Sequence, residues 1–295
     1  MKSARRKLSI VNVLLALLFL FGLGVLLYPF VCNWFFQNDT NQLTAAYDQA
    51  VKDNGADFDK MFAEAREYNS ELVGQTVPDV FAIREGTTDP NYESKLNVMG
   101  NLMMGYVDIP AINVHLPIYH YSTAESLEKG CGHIFGSSLP VGGESTHAVI
   151  TAHRGLATAE MFSELDQVKE GDRFFLRVLN KTLAYQVDHI EAVEPQDTRS
   201  LAIERGCDYA TLVTCTPYGI NTQRLLVRGH AVPYTEGDMN LARDVGFRWE
   251  SLLWMLERIG VAILGAVIAA IVVWLFNGGR PKDIVAAITS RIHHE

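Results

Sequence analysis

Two stretches of the chain are apolar from end to end, and the pattern between them changes twice. From Leu8 the run LSIVNVLLALLFLFGLGVLLYPFVCNWFF exceeds the ~20 residues that a helix needs to cross a bilayer. Ile259–Phe276 (IGVAILGAVIAAIVVWLF) reaches the ~18-residue length of a second spanning candidate. Behind the first run, Leu43, Tyr47 and Val51, then Phe58, Met61, Phe62 and Ala65, recur at helical spacing. Asn54-Gly55 breaks this pattern into two helices, a pair packed on the main domain or a stalk beneath it. Residues 72–98 are irregular, and Gly86, Asp89 and Pro90 mark a loop.

From Met104 the apolar positions fall into short, strand-like groups. They are Tyr106–Ile109, His115–Ile118, His147–Thr151, Phe174–Val178, Leu183–Val187, His189–Val193, Tyr209–Cys215 and Arg224–Val227. Short helical stretches are predicted at Thr123–Lys129 and Thr158–Asp166. Many short strands in one domain predict a mostly β fold, closed or nearly closed as a barrel, which leaves no strand edge unpaired.

Charge orients the two apolar runs. Lys2, Arg5, Arg6 and Lys7 precede the first, and Arg280, Lys282 and Arg291 follow the second. By the positive-inside rule both termini are cytoplasmic and the intervening domain lies outside. Trp34, Trp249, Trp254 and Trp274 sit in or beside the two runs, as interfacial anchors do. The first run is too long for a signal peptide and ends in Tyr28-Pro29-Phe30 rather than small residues, so it reads as an uncleaved anchor. Bulky Phe30 and Val31 argue against a lipoprotein site at Cys32. The resulting layout is a basic tail (1–7), an anchor (8–36), a helical region (38–103), a β-barrel domain (104–235), a juxtamembrane segment (236–258), a second span (259–276) and a tail (277–295).

A net charge of −9 speaks against a nucleic-acid partner. Cys32, Cys131, Cys207 and Cys215 form no CxxC pair, which argues against a zinc ribbon or a disulfide framework. Cys131 and His133 lack a second pair to complete a metal site, and no acidic cluster or EF-hand pattern marks a calcium site. Neither metal nor other cofactor is expected. Cys131 and Cys207 read as small core residues, and whether they are bridged is not fixed by sequence.

What remains is a set of side chains suited to acyl transfer. Cys215 closes one predicted strand, Arg224 opens the next, and His153 follows the run His147–Ile150. A thiol attacks an amide carbonyl only as thiolate, and an imidazole can take its proton and later protonate the departing amine. A guanidinium is a permanently charged donor for the oxyanion, and Thr214 offers a hydroxyl or backbone donor beside the thiol. Taken singly, each has a plain alternative as a core thiol, a loop imidazole or a strand-flanking arginine. A papain-like arrangement is excluded by order, since His153 precedes Cys215.

The segment TLVTCTPYGINTQRLLVRG, with THAVITAHRGL upstream, resembles the sortase family, whose signature is a TLxTC strand, an earlier His and a following Arg. The likeness runs from about Met104 to Val232, and the AHRG and CTPYGINT contexts look most like class C, the pilin-polymerising sortases. The resemblance implies an eight-stranded β-barrel with N-terminal helices, flanked by two transmembrane helices. It implies cleavage of an LPxTG-like sorting signal between Thr and Gly through a thioacyl enzyme on Cys215, resolved by a pilin lysine. The alternatives are a cell-wall-anchoring sortase that uses a peptidoglycan amine, and a non-catalytic surface scaffold with the same barrel. Class C also implies a lid, a loop over the site with an Asp-Pro-aromatic motif. Asp89 and Pro90 match within residues 86–95, but Asn91 follows and the aromatic, Tyr92, comes one residue later. Either Tyr92 takes the ring's place over the thiol, or Asp89 facing Arg224 holds the lid.

Overall fold

The computed structural model describes residues 10–55, 57–74, 88–235, 237, 238, 260 and 265, with side chains from residue 17 onward. Residues 10–28 and 29–238 belong to separate compact units. In the first, helix α1 (Ile10–Asp53) begins, and Leu17–Phe21 and Val25–Tyr28 all expose their side chains. An apolar helix face of this kind is costly in water and fits a membrane anchor. The expected second span and the juxtamembrane segment lie outside the described residues.

In the second unit α1 continues unbroken past the polar residues Asn38–Asn41 to Asp53, and Asn54-Gly55 ends it. Its last turns pack on the barrel. Tyr47 and Val51 join Met103, Tyr106 and Tyr119 in one apolar cluster. Around them the Thr44 hydroxyl meets His115 Nε2 at 2.8 Å, and His115 Nδ1 meets Asp108, which also accepts from Arg177 Nε. Helix α2 (Phe58–Leu72) starts at Asp57, whose carboxylate accepts from the Lys60 N–H. Its stripe of Phe62, Ala65, Tyr68 and Leu72 enters the main core. Burial of a side chain such as Phe62 contributes about 1.5–3 kcal/mol, so the helical pair is packed on the domain.

Eight strands close a barrel: β1 (Met103–Ile109), β2 (Val114–His120), β3 (Cys131–His133), β4 (Thr146–Thr151), β5 (Arg173–Val178), β6 (Lys181–Val193), β7 (Asp208–Thr216) and β8 (Gln223–Val232). The order around it is β1-β2-β3-β4-β7-β8-β6-β5, with β2–β3 and β4–β7 parallel and the other pairs antiparallel. The expected eight-stranded barrel is therefore present, but its membership differs from the sequence reading. Leu183–Val187 and His189–Val193 are one strand, β6, because Asp188 is a bulge and not a turn. Its carboxylate accepts from Arg228 Nε at 3.0 Å on β8. Strand β3 has only three residues, Cys-Gly-His, too few to show alternation.

Helix α4 (Ala124–Lys129) forms as expected, capped by Thr123, after the four-residue helix α3 (Pro90–Glu93). Thr158–Asp166 is not an α-helix. It is a series of turns ending in a 3₁₀ turn at Leu165–Gln167. The four cysteines are free thiols, Cys131 fully buried and Cys207 partly so.

Candidate active site

Strand register pairs Cys215 with Arg224 and brings the end of β4 alongside them. Cys215 and Arg224 are direct Cα partners on adjacent antiparallel strands β7 and β8, one rung from the end of the pair. On the other side of β7, parallel β4 pairs Thr151 with Val213, and the Ala152 N–H extends the ladder to the Val213 carbonyl. Continuing that register by two residues sets His153 level with Cys215. Alternation along β7 sends Thr214 inward, fully buried, and leaves Cys215 and Arg224 half-buried at the barrel's end.

The surroundings of each group bear on its chemistry. Burial lowers the His153 pKa below the usual imidazole value, and the Glu128 carboxylate on α4 pulls it back up. A neutral imidazole is the form that takes a proton from a thiol. Arg224 Nη1 donates to the carbonyls of Asn221 and Gln223, at 3.3 and 3.1 Å, which ties the guanidinium to the β7–β8 turn. A thiol, an imidazole and an oriented guanidinium so arranged hold the parts for thioester chemistry. Among the described residues no group of His, Cys, Asp and Glu side chains is placed to hold a metal ion.

Two expectations are narrowed. The Thr214 hydroxyl donates to the Ala152 carbonyl at 2.9 Å, because its position in the alternation turns it inward, which leaves its backbone N–H as the donor expected beside the thiol. In the Asp89–Tyr92 stretch the contacts that the structure shows are with α3 and the core. Asp89 accepts from the N–H groups of Asn91 and Tyr92 as the N-cap of α3, with Pro90 as first helical residue. It makes no ion pair with Arg224 among the described residues. Tyr92 is wholly buried; its ring packs against Tyr68, His120, Tyr121, His133 and Phe135. Its hydroxyl lies 2.7 Å from His133 Nδ1. One turn of helix begun at Pro90 carries the ring into the core. The first two residues of the expected 86–95 loop lie outside the described residues.

One residue that sequence reasoning passed over ties the segment after β4 to the 163–166 loop and to the end of β7. The Arg154 side chain, 5% exposed, donates through Nε to the Ser163 carbonyl (3.2 Å), through Nη1 to the Thr216 hydroxyl (3.0 Å) and through Nη2 to Asp166 (2.5 Å). Its guanidinium also lies 5.7 Å from the Tyr218 ring centroid. Gly155, at φ +78°, runs so close to Tyr218 that a Cβ would come within 3.2 Å of the ring. The available signal was a basic residue directly after the candidate imidazole, in AHRG.

The fold is a closed β-barrel in which a thiol and a guanidinium, Cys215 and Arg224, share a rung at the end of two strands. A sortase-domain model matches residues 107–232. Sortase C of Streptococcus pneumoniae is 45% identical over 66% of this chain and 98% of that one, with a TM-score of 0.59. Sortase C1 of Streptococcus agalactiae is 42% identical over 66% of this chain and all (100%) of that one, with a TM-score of 0.60. Sortase D of Bacillus subtilis is 28% identical over 131 residues, 43% of this chain and 63% of that protein, so the match spans less than two thirds of this curated relative. The chain belongs to the sortase family. The two streptococcal structures bring it within class C.

Proposed function

We propose that the protein is a membrane-bound cysteine transpeptidase that links pilin subunits. The observation that carries this reading is the rung shared by Cys215 and Arg224, with the strand leading to His153 alongside. His153 takes the proton of the Cys215 thiol, and the thiolate attacks the Thr carbonyl of an LPxTG-like sorting signal. Arg224 donates to the resulting oxyanion. The Thr–Gly bond breaks, His153 protonates the departing Gly amine, and a thioester remains on Cys215. A lysine amine of the next pilin attacks that thioester, an isopeptide bond forms, and the thiol is regenerated. The Streptococcus pneumoniae relative is described in terms of pilin substrate specificity and a group B streptococcal one as pilus-related, which favours a lysine over a peptidoglycan amine.

The apolar face of α1 supports an anchor at the N-terminal end. The same reading places a second span at residues 259–276, both termini in the cytoplasm and the barrel outside the cell, by the positive-inside rule.

The test is intact mass after incubation with an LPxTG-type peptide. The unmodified protein gains the mass of the acyl portion, and Cys215→Ala gains none. An equal gain in Cys215→Ala would overturn the assignment.

A further inference from the structure

The ladder between β4 and β7 ends before it reaches the site. Its last backbone bond runs from the Ala152 N–H to the Val213 carbonyl, two residues short of Cys215. His153 therefore sits beyond the sheet, and the distance from imidazole to thiol is not set by strand pairing. Two side-chain bonds cross the gap instead. Thr214 Oγ1 donates to the Ala152 carbonyl, and Arg154 Nη1 donates to the Thr216 hydroxyl. The first joins the residue before Cys215 to the residue before His153. The second joins the residues that follow them. Together they bracket the pair.

The outer bond is held more firmly than a single hydrogen bond would be. Arg154 Nε and Nη2 are fixed by the Ser163 carbonyl and by Asp166, so the guanidinium cannot swing away from Thr216. The loop carrying Ser163 is tied back to the same backbone. The Phe162 N–H donates to the His153 carbonyl, and the Gly155 N–H donates to the Ser163 hydroxyl. A nearly buried guanidinium is costly unless its donors are satisfied, and here three donors reach three acceptors on two segments, the 163–166 loop and the end of β7. A lysine, with one compact ammonium, cannot span them.

We propose that Arg154 is a positioning residue for the transfer reaction, fixing the His153 imidazole against the Cys215 thiol through its bond to Thr216. The inference rests on the proposed roles of those two groups. The side-chain contacts of Arg154 are with Ser163, Asp166, Thr216 and Tyr218, so it acts on the rate of the chemical step and not on substrate binding. A displacement of about 1 Å at reacting groups costs about 10²-fold in rate.

The test uses the full-length chain in detergent micelles and steady-state cleavage of an LPxTG-type peptide. Arg154→Met, Arg154→Lys, Thr216→Val and the Arg154→Met/Thr216→Val double variant are compared, with Cys215→Ala as reference. Arg154→Met and Thr216→Val each lower kcat by about 10- to 100-fold and leave KM within about threefold. Arg154→Lys does not restore kcat, and the double variant is no slower than Arg154→Met because one link is cut twice. Parental kcat in Thr216→Val, a loss confined to KM, or losses that multiply in the double variant would each overturn the proposal. Should Arg154→Met fail to fold, Thr216→Val, which removes only the accepting hydroxyl, decides alone. Cleavage surviving in Cys215→Ala would overturn the functional reading itself. An inactive Cys215→Ala beside a fully active Thr216→Val would overturn only the role of Arg154.

Discussion

Replacing Tyr92 by Phe removes one oxygen from the core and leaves every ring contact in place. That oxygen has a defined duty. His133 Nε2 lies 2.8 Å from the Ser138 carbonyl, which can only accept, so Nε2 carries the proton and Nδ1 is the acceptor. The Tyr92 hydroxyl donates to it at 2.7 Å. Both residues are fully buried, and burial holds His133 neutral, with its pKa lowered to about 4. In Tyr92→Phe the Nδ1 lone pair has no partner and no access to water, a loss of about 1–3 kcal/mol. For a unit of this size that lowers the melting temperature by roughly 2–12 °C, at ~2–4 °C per kcal/mol. The assay is thermal unfolding of the purified chain in micelles, paired with mass-spectrometric measurement of Cys215 alkylation. Stability falls and the alkylation rate stays at the parental value, because the ring braces the core and does not shield the thiol. Unchanged melting would refute the hydrogen-bond argument. Faster alkylation would restore Tyr92 as a cover over the site.

Acid weakens the fold through two histidines. His133 and His147 are buried, each with its pKa lowered from 6.5 to about 4, chiefly by burial. Between these values the unfolded chain binds protons that the folded one refuses, so stability is full above pH 6.5 and falls toward pH 4. By pH 5 the loss is about 2 kcal/mol for each histidine, to be read as a drop in urea midpoint from pH 7 to pH 5; a flat midpoint would contradict it. Arg224→Lys keeps the charge and loses the planar fork, and lowers kcat by about 10²–10³-fold in peptide cleavage. Near-parental turnover would show that charge alone suffices there.

Much of this architecture is legible in the pattern of side chains, and the exceptions have physical causes. Alternation exposes most strands, but β3 is only Cys131–His133, too short to alternate and recognised only through its neighbours. Asp188 looks like a turn residue because bulges and turns share a tolerance for short polar side chains; the pairing of Arg228 with it is a long-range contact. The anchor and the first packed helix are one helix, because the polar residues Asn38–Asn41 mark a change of surroundings and not of conformation. For the site, Cys215 and Arg224 are legible because both lie at strand ends facing one short connector. Tyr92 was misplaced because a one-residue offset from Pro90, within a turn of helix, reverses where a ring points. Arg154 was missed because its partners Ser163 and Asp166 lie in an aperiodic stretch.

The parallel pairing of β4 with β7 has a consequence for how the protein comes into being. Thr151 and Val213 meet across a loop of about sixty residues, and Cys215 meets Arg224 only after β8 has turned back along β7. Contacts between distant residues must be closed against chain entropy before they return any stability, and such topologies fold slowly. No fragment ending before residue 224 contains the thiol, the imidazole and the guanidinium together. During synthesis the chain therefore carries the cysteine before its strand partner Arg224 exists, and the two meet only in the step that closes the barrel.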